Sequence, residues 1–190
     1  MVLITGFEPF TTGQGVTLTH NPTADIVRRV GEGLPHVRAE VLPVSFSRTR
    51  VALLRHFATY RPRVWIGLGY APHRTTLDVE TVALNLEHAT RGDNDGERPW
   101  MRAVVEGAPL AYTTRLDMKA SLAILAEQGA PAHAAFHAGT FLCNQSFYLG
   151  CHACETGDLN LAAFIHVPPL PSYDPLERGL SALIDTLTEA

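Results

Sequence analysis

The sequence has little cysteine, no run of basic residues and no long apolar segment, and each shortage narrows the class of protein. The three cysteines are an odd number, which argues against a disulfide framework and fits a reducing compartment. Basic side chains (15) are outnumbered by acidic ones (19), so nucleic acid is not a predicted partner. No stretch approaches the roughly 20 apolar residues that span a bilayer, and the first residues lack the basic region of a signal peptide. These features predict a cytoplasmic protein with no membrane partner.

The chain also lacks internal repeats, low-complexity tracts and an obvious linker. Its 190 residues, 46% of them hydrophobic, suit one domain over 1–190 with a sizeable core. Alternation and turn residues divide it into short strands and longer helices. The predicted strands are 2–5, 37–44, 64–69, 75–86, 134–136 and 161–167. The predicted helices begin at or next to Asn21, Ser47, Asp117, Asn144 and Pro175.

Strands and helices alternate along most of the chain, which favours an α/β protein. The segment 75–86 follows the strand at 64–69 too closely for a helical crossover, so the sheet should be mixed. We therefore predict a three-layer α/β/α sandwich around a mixed, mostly parallel central sheet. In folds of this class, functional groups gather at strand ends and in the loops beyond them.

Cys143 is the first candidate for chemistry, because it follows an apolar segment and stands where a helix is predicted to begin. Unpaired backbone N–H groups and the positive end of the helix dipole both favour thiolate over thiol at such a position. The same N–H groups could stabilise an oxyanion on a substrate carbonyl. The alternative interpretation is a small buried hydrophobic residue, which we prefer for Cys151 and Cys154.

His166 and Glu80 could complete a catalytic group with Cys143. His166 ends a predicted strand, where it could accept the thiol proton and later protonate a departing amine. Glu80 lies among apolar residues, and a buried carboxylate there would need a partner such as an imidazolium. Taken alone, His166 is more simply a hydrogen-bonded core histidine and Glu80 a solvent-facing strand residue. Together the three form the general pattern of nucleophile, base and orienting acid.

A different class of function, metal binding or redox chemistry, rests on the Cys-x-x-Cys pair formed by Cys151 and Cys154. Structural zinc normally requires two ligand pairs, and the sequence offers no second pair. A thioredoxin-like pair would stand where a first strand meets its helix, not late in the chain. We therefore predict no metal and no cofactor.

Three segments resemble those of pyroglutamyl peptidase type I, also called pyrrolidone-carboxylate peptidase. The similarity runs in the same order over nearly the whole chain, and the chain has the length of a family member. The segments are Thr-Gly-Phe-Glu-Pro-Phe at 5–10 with Asn-Pro at 21–22, then 74–85 extended by Asp-Asn-Asp-Gly at 93–96, then 138–144 with 147–148 and 164–168.

The resemblance implies a single catalytic domain and a cysteine-type omega-peptidase, a hydrolase that removes N-terminal pyroglutamate (5-oxoproline) from peptides. By this resemblance Glu80, Cys143 and His166 are the catalytic triad and act through a thioester intermediate. Family members often assemble as tetramers, so a homo-oligomer, dimer or tetramer, is implied. The alternative is a catalytically weak homologue that binds pyroglutamate or a related lactam.

A pyroglutamyl ring is a neutral lactam, so its site needs an apolar slot and a few polar contacts but no counter-ion. The resemblance implies aromatic and aliphatic walls for this slot and backbone contacts after Gly69. The natural peptides and the preference at the next residue stay open. The implied substrate-binding residues are Phe7, Phe10, Asn21, Tyr70, Ala71, Arg91, Phe141 and Leu142.

The chain departs from the family pattern at three places around this expected slot. Thr11 and Thr12 replace two glycines, and the loop to Asn21 is longer, so it is a candidate lid. Pro72 and His73 replace residues of a glycine-rich segment, which restricts the backbone there. The expected arginine is displaced by one position to Arg91. We expect these changes to affect turnover and substrate range more than fold or triad.

Overall fold

The computed structural model describes residues 1–12 and 15–189. Gly13, which belongs to the candidate lid, lies outside this range. No helix in the described part of the chain is long and apolar enough to cross a membrane. In chain order the elements are β1 (Val2–Phe7), α1 (Pro22–Gly33), β2 (Val37–Leu42), α2 (Phe46–Tyr60), β3 (Val64–Tyr70), β4 (Leu77–Glu80), β5 (Val82–Leu84), β6 (Ala111–Thr113), α3 (Met118–Glu127), β7 (Ala132–Ala135), α4 (Leu142–Thr156), β8 (Leu161–Val167) and α5 (Asp174–Glu189).

The main sheet has six strands in the order β2-β1-β3-β8-β4-β7. Strands β2, β1, β3 and β8 are parallel, whereas β4 runs antiparallel to β8 and carries β7 parallel to itself. The prediction of a mixed, mostly parallel sheet is therefore confirmed. The reversal at β4 decides the site, because it places Asp78 of β4 directly opposite His166 of β8.

Two hydrophobic cores lie on opposite faces of the sheet, as the alternation of strand residues requires. In β8, Phe164 faces the core that includes residues of α2 and α4, and Ile165 faces the core that includes residues of α1, α3 and α5. In β3, Trp65 and Ile66 divide between the same two cores. This arrangement confirms the predicted three-layer α/β/α sandwich.

The starts of α1 and α2 follow capping chemistry, and the predicted start of α2 needs a correction. Asn21 is the N-cap of α1 as predicted, and its side chain accepts a hydrogen bond from Thr23 N–H. The cap of α2 is Ser45, not Ser47, because the Ser45 hydroxyl accepts from Arg48 N–H and the helix already begins at the next residue. Because serine stands at both 45 and 47, the sequence alone does not show which of the two caps the helix.

The predicted strand over 75–86 is wrong as one element, because it divides at Thr81 into β4 and β5. Thr81 N–H donates to Ala135 O of β7, and Thr81 O accepts from Thr114 N–H beyond β6. The chain thus passes from the main sheet into a separate two-stranded sheet, β5 with β6. The Asn144 side chain holds β5 against α4 by bonds to the N–H and C=O of Leu84.

Gly6 provides a test of how closely β1 packs on the start of α1. A Cβ added at Gly6 would stand 2.5 Å from the carbonyl oxygen of Thr23. Because that oxygen belongs to the backbone, strand and helix would have to separate. We expect Gly6→Ala to lower the free energy of unfolding by about 1–3 kcal/mol, measured by denaturant titration.

The matched control for this test is Gly33→Ala at the end of α1. Among the described residues, nothing lies within 4 Å of a Cβ added there. This variant should be neutral or slightly stabilising, since alanine favours the helix. Equal stability of the two variants would contradict the close contact at Gly6.

Candidate active site

The start of α4 brings Cys143 to the C-terminal end of the central strands. The helix begins at Leu142, one residue before the cysteine, rather than at Asn144 as predicted. Its N-cap is Phe141, whose ring cannot accept a hydrogen bond. The first bond back along the helix is from Gln145 N–H to Phe141 O, so the earlier N–H groups lie before the intrahelical ladder begins. Such groups favour negative charge beside the sulfur.

Glu80 and His166 are joined by a hydrogen bond of 2.7 Å between Oε1 and Nδ1. Both are buried, the carboxylate completely and the histidine with 6% of its surface exposed. A carboxylate on Nδ1 fixes the imidazole with its proton on that nitrogen, which leaves Nε2 as the basic atom. The predicted pairing of an orienting acid with a base is thus present as geometry.

Gly69 at the end of β3 brings the sulfur and the imidazole together. A Cβ added at Gly69 would stand 2.8 Å from Sγ of Cys143 and 3.1 Å from Cδ2 of His166. Since Cδ2 is bonded to Nε2, the edge of the ring that carries the free nitrogen borders the same space as the sulfur. Thiol, imidazole and carboxylate, predicted from segments far apart in sequence, therefore form one cluster.

Arg74 is a member of this cluster whose role the sequence did not reveal. Its Nη1 lies 2.9 Å from Oε1 of Glu80 and 2.6 Å from Oδ2 of Asp78. Asp78 and Glu80 stand two positions apart in β4, so their side chains lie on the same face of the strand. A single guanidinium can therefore reach both. The sequence offered one signal of this contact, an arginine placed a few residues before two carboxylates on the same strand face.

A cavity of about 410 Å³ opens above the cluster. Its walls contain every one of the predicted substrate-binding residues, together with Cys143 and His166. None of the described residues that line it is acidic. The full lining is Phe7, Phe10, Thr12, Asn21, Val44, Tyr70, Ala71, Pro72, His73, Arg91, Ala138, Phe141, Leu142, Cys143 and His166.

Arg91 reaches this cavity despite its displacement in sequence. Its guanidinium carbon lies 4.7 Å from the centre of the Phe141 ring and 5.7 Å from that of Phe10. Its Nη1 donates to the carbonyl oxygen of Thr11, so the arginine ties the start of the candidate lid to the cavity wall. Burial lowers the pKa of Arg91, and the nearby Cys143 sulfur opposes that effect.

Two of the groups predicted to contact the substrate already form hydrogen bonds within the protein. The Asn21 side chain accepts from Thr23 and donates to Glu8 O, which makes it first a support of the cavity wall. Of the backbone groups expected to meet the lactam, the N–H of Ala71 already donates to Val167 O across the sheet. The Ala71 carbonyl accepts from Arg74 N–H and keeps one lone pair for a ligand.

Burial has a larger effect on the pKa of the Cys143 thiol than the helix start has. Removal from water is the largest effect and raises the pKa of the thiol to about 12. The Glu80 carboxylate also raises this pKa, whereas Arg74, the N–H of Cys143 itself and Arg91 lower it. The backbone at the helix start thus favours the thiolate as predicted, but burial outweighs it and favours the thiol in the unliganded protein.

His166 shifts in the complementary direction. Burial lowers the pKa of its imidazole, and the hydrogen bond that the ring donates to Glu80 only partly offsets this. Both shifts favour a neutral thiol beside a neutral imidazole in the free protein. A base of this kind takes the proton as the sulfur attacks, rather than beforehand.

Cys151 and Cys154 lie away from this chemistry. Both are buried in the core between α4 and the sheet, as predicted. Burial raises the pKa of each thiol, that of Cys154 to about 11. In the described part of the chain, no three histidine, cysteine or acidic side chains come together as a metal site.

An α/β sandwich with a thiol, an imidazole and a carboxylate at one cavity is the arrangement of a cysteine-type hydrolase. A family model described as pyroglutamyl peptidase matches residues 1–185. The pyrrolidone-carboxylate peptidase of Thermococcus litoralis is 38% identical over 174 residues, which cover 90% of this chain and 77% of that protein. The chain therefore belongs to the pyroglutamyl peptidase family.

Further relatives agree with this placement. The pyrrolidone-carboxylate peptidase of Clavibacter michiganensis is 37% identical over 197 aligned positions, with 96% of this chain and 90% of that protein covered. The crystal structure of pyrrolidone carboxyl peptidase from Fervidobacterium islandicum has a TM-score of 0.89 at 29% identity. That match covers 99% of this chain and 98% of the other.

Iodoacetamide should label Cys143 before Cys151 or Cys154. All three thiols are of low acidity, so access to the reagent separates them, and only Cys143 among them lines the cavity. Peptide mapping by mass spectrometry after partial reaction measures the order. Equal labelling of all three would contradict the assignment of Cys143 to the cavity.

The rate of Cys143 alkylation should rise steadily with pH between 7 and 9. Because the pKa of the thiol is raised to about 12, the reactive thiolate is a small fraction that grows about tenfold per pH unit. The measurement is the second-order rate constant with iodoacetamide at each pH. A plateau between pH 6 and 8 would instead indicate a preformed thiolate–imidazolium pair.

Proposed function

We propose that this protein removes N-terminal pyroglutamate from peptides by covalent catalysis through Cys143, His166 and Glu80. The observation that carries the proposal is the position of the Cys143 sulfur. It lies at the floor of an apolar cavity, next to an imidazole whose far nitrogen is bound to a buried carboxylate. Family membership supplies the substrate class, since the relatives are named pyrrolidone-carboxylate peptidases.

In the first half of the reaction, Nε2 of His166 takes the thiol proton while Sγ of Cys143 attacks the carbonyl carbon of the pyroglutamyl residue. The carbonyl oxygen becomes an oxyanion, which the N–H groups at the start of α4 stabilise. The C–N bond then breaks, and the imidazolium gives its proton to the departing peptide amine. A thioester between Cys143 and the pyroglutamyl group remains.

In the second half, water attacks the thioester. His166 accepts a proton from this water, and the C–S bond breaks to release free pyroglutamate. The proton returns to the sulfur, so the thiol and the neutral imidazole are restored. Glu80 holds the ring in one orientation throughout and stabilises the imidazolium when it forms.

The cavity suits a neutral ring. Phe10 and Phe141 offer aromatic faces, and no acidic side chain in the described lining would repel a lactam carbonyl or attract a free α-amine. Arg91, stacked on both rings, is positioned to donate to a carbonyl oxygen. We assign Phe7, Tyr70, Ala71 and Leu142 to the walls of the same slot and Asn21 to its support.

The proposal extends to the surroundings of the enzyme, on the basis of the family resemblance. We propose a single catalytic domain that acts in the cytoplasm and assembles as a dimer or tetramer. Large apolar side chains such as Trp100 and Leu110, 76% and 88% exposed, are available for contacts between copies.

Hydrolysis of a pyroglutamyl-anilide reporter tests the function. The wild type should release the aniline. Cys143→Ala should reduce kcat by more than about 10⁴-fold, and Glu80→Gln by about 10³-fold, because each removes a member of one catalytic unit. Cys154→Ala is the matched control, a buried cysteine of the same helix, and should retain activity.

Two outcomes would overturn the proposal. Full activity of Cys143→Ala would place the nucleophile elsewhere. Saturable binding of pyroglutamate by the wild type without any turnover would favour the alternative, a catalytically weak lactam-binding homologue.

A further inference from the structure

We propose that Arg74 is a positioning residue for this reaction, which keeps Glu80 ionised beneath His166 and so leaves the imidazole free to act as a base. This inference rests on the proposed function for its catalytic meaning. Its structural part, the control of one carboxylate and one imidazole tautomer by a neighbouring arginine, can be measured without turnover.

The first support is a continuous chain of polar contacts. The hydroxyl of Thr76 donates to Oδ1 of Asp78 over 3.0 Å, and Oδ2 of Asp78 accepts from Nη1 of Arg74 over 2.6 Å. The same Nη1 lies 2.9 Å from Oε1 of Glu80, which in turn lies 2.7 Å from Nδ1 of His166. Four residues in one short segment thus converge on the catalytic ring.

The second support is the identity of the shared atom. Oε1 of Glu80 faces a guanidinium, which can only donate hydrogen bonds and does not lose its proton. Oε1 must therefore act as an acceptor toward both neighbours. Because the carboxylate oxygen accepts, Nδ1 of His166 carries a proton, and in the neutral imidazole Nε2, on the sulfur side of the ring, is then bare. Arg74 in this way selects the tautomer that a general base requires.

The third support is the balance of buried charge. Glu80 is fully buried, and its second oxygen, Oε2, has no hydrogen-bond partner within residues 1–12 and 15–189. A buried carboxylate needs a cation. Without Arg74 that cation would have to be a protonated His166, which cannot accept the thiol proton. Arg74, with 21% of its side chain exposed, supplies the charge from the protein side.

The charged and titratable groups around His166 are few and come from several elements. Glu80 and Asp78 face it from β4, Arg74 from the preceding loop and Cys143 from α4. His73 and Arg91 lie further out, on the cavity wall. Burial is the main cause of the lowered pKa of His166, Glu80 opposes it by its hydrogen bond, and Arg74 lowers it further.

The kinetic test compares the pH dependence of kcat/KM for the reporter in the wild type, Arg74→Gln and Arg74→Lys. Loss of the positive charge should raise the pKa of His166. The acid limb of the kcat/KM profile should therefore move to higher pH by about one unit in Arg74→Gln. Its kcat at neutral pH should fall roughly 10- to 100-fold. Arg74→Lys keeps the positive charge but not the planar guanidinium with its several N–H donors. Its kcat should therefore fall while the acid limb of its pH profile stays in place.

Arg115→Gln is the matched control. It removes the same charge from an ion pair with Glu155, exposed near the far end of α4, and should leave both kcat and the acid limb unchanged. An arginine with a purely structural role at position 74 would lower stability and rate without moving the limb. An unshifted limb in folded Arg74→Gln would therefore overturn the proposal.

A second measurement uses the wild type and needs no activity. The ¹⁵N shifts of the histidine rings report which nitrogen carries the proton, and the His166 signals are those lost in His166→Gln. We expect the neutral Nδ1–H form in the wild type and a larger share of the doubly protonated imidazolium in Arg74→Gln. An Nε2–H form in the wild type would overturn the proposal, even if Arg74→Gln failed to fold. A wild type that shows the Nδ1–H form but no turnover would count against the proposed function instead.

Discussion

One carboxylate oxygen, Oε1 of Glu80, is the point on which the rest of the site depends. It accepts from Nδ1 of His166 and lies within hydrogen-bond distance of Nη1 of Arg74, both below 3 Å. Because the carboxylate is fully buried, it can stay ionised only while such partners remain in place. The carboxylate accepts from Nδ1 and so fixes the orientation of the imidazole and the nitrogen that carries its proton. The imidazole in turn forms part of the surroundings of the Cys143 sulfur.

The sheet satisfies this requirement by reversing direction once. In an all-parallel sheet, Glu80 would end its strand on the same edge as His166, as one more residue at a strand terminus. The antiparallel pairing of β4 with β8 instead sets Asp78 opposite His166 and lets Glu80 reach the ring diagonally along the same face. Gly69, at the end of the adjacent parallel strand, leaves the space that thiol and imidazole share.

Burial has opposite effects on the two reacting partners, and both effects lead to the same mechanism. It raises the pKa of the Cys143 thiol and lowers that of the His166 imidazole, so both shifts favour the uncharged forms. In the proposed mechanism, the start of α4 contributes most where charge develops, on the carbonyl oxygen of the substrate. The cavity wall adds Arg91, whose guanidinium lies over the rings of Phe10 and Phe141 despite its displacement along the sequence.

The sequence by itself determined the five helices, most strands of the main sheet, the three-layer class and the predicted residues that line the cavity, because alternation, capping and the family motifs are local signals. It gave no sign of β6. It did not distinguish Ser45 from Ser47 as a cap, and it did not show that the strand at 75–86 divides at Thr81. The raised pKa of Cys143 and the contacts of Arg74 with Asp78 and Glu80 appear only in the tertiary structure. Desolvation and ion pairing depend on what surrounds a group in space, and that is set by contacts between segments far apart in the chain.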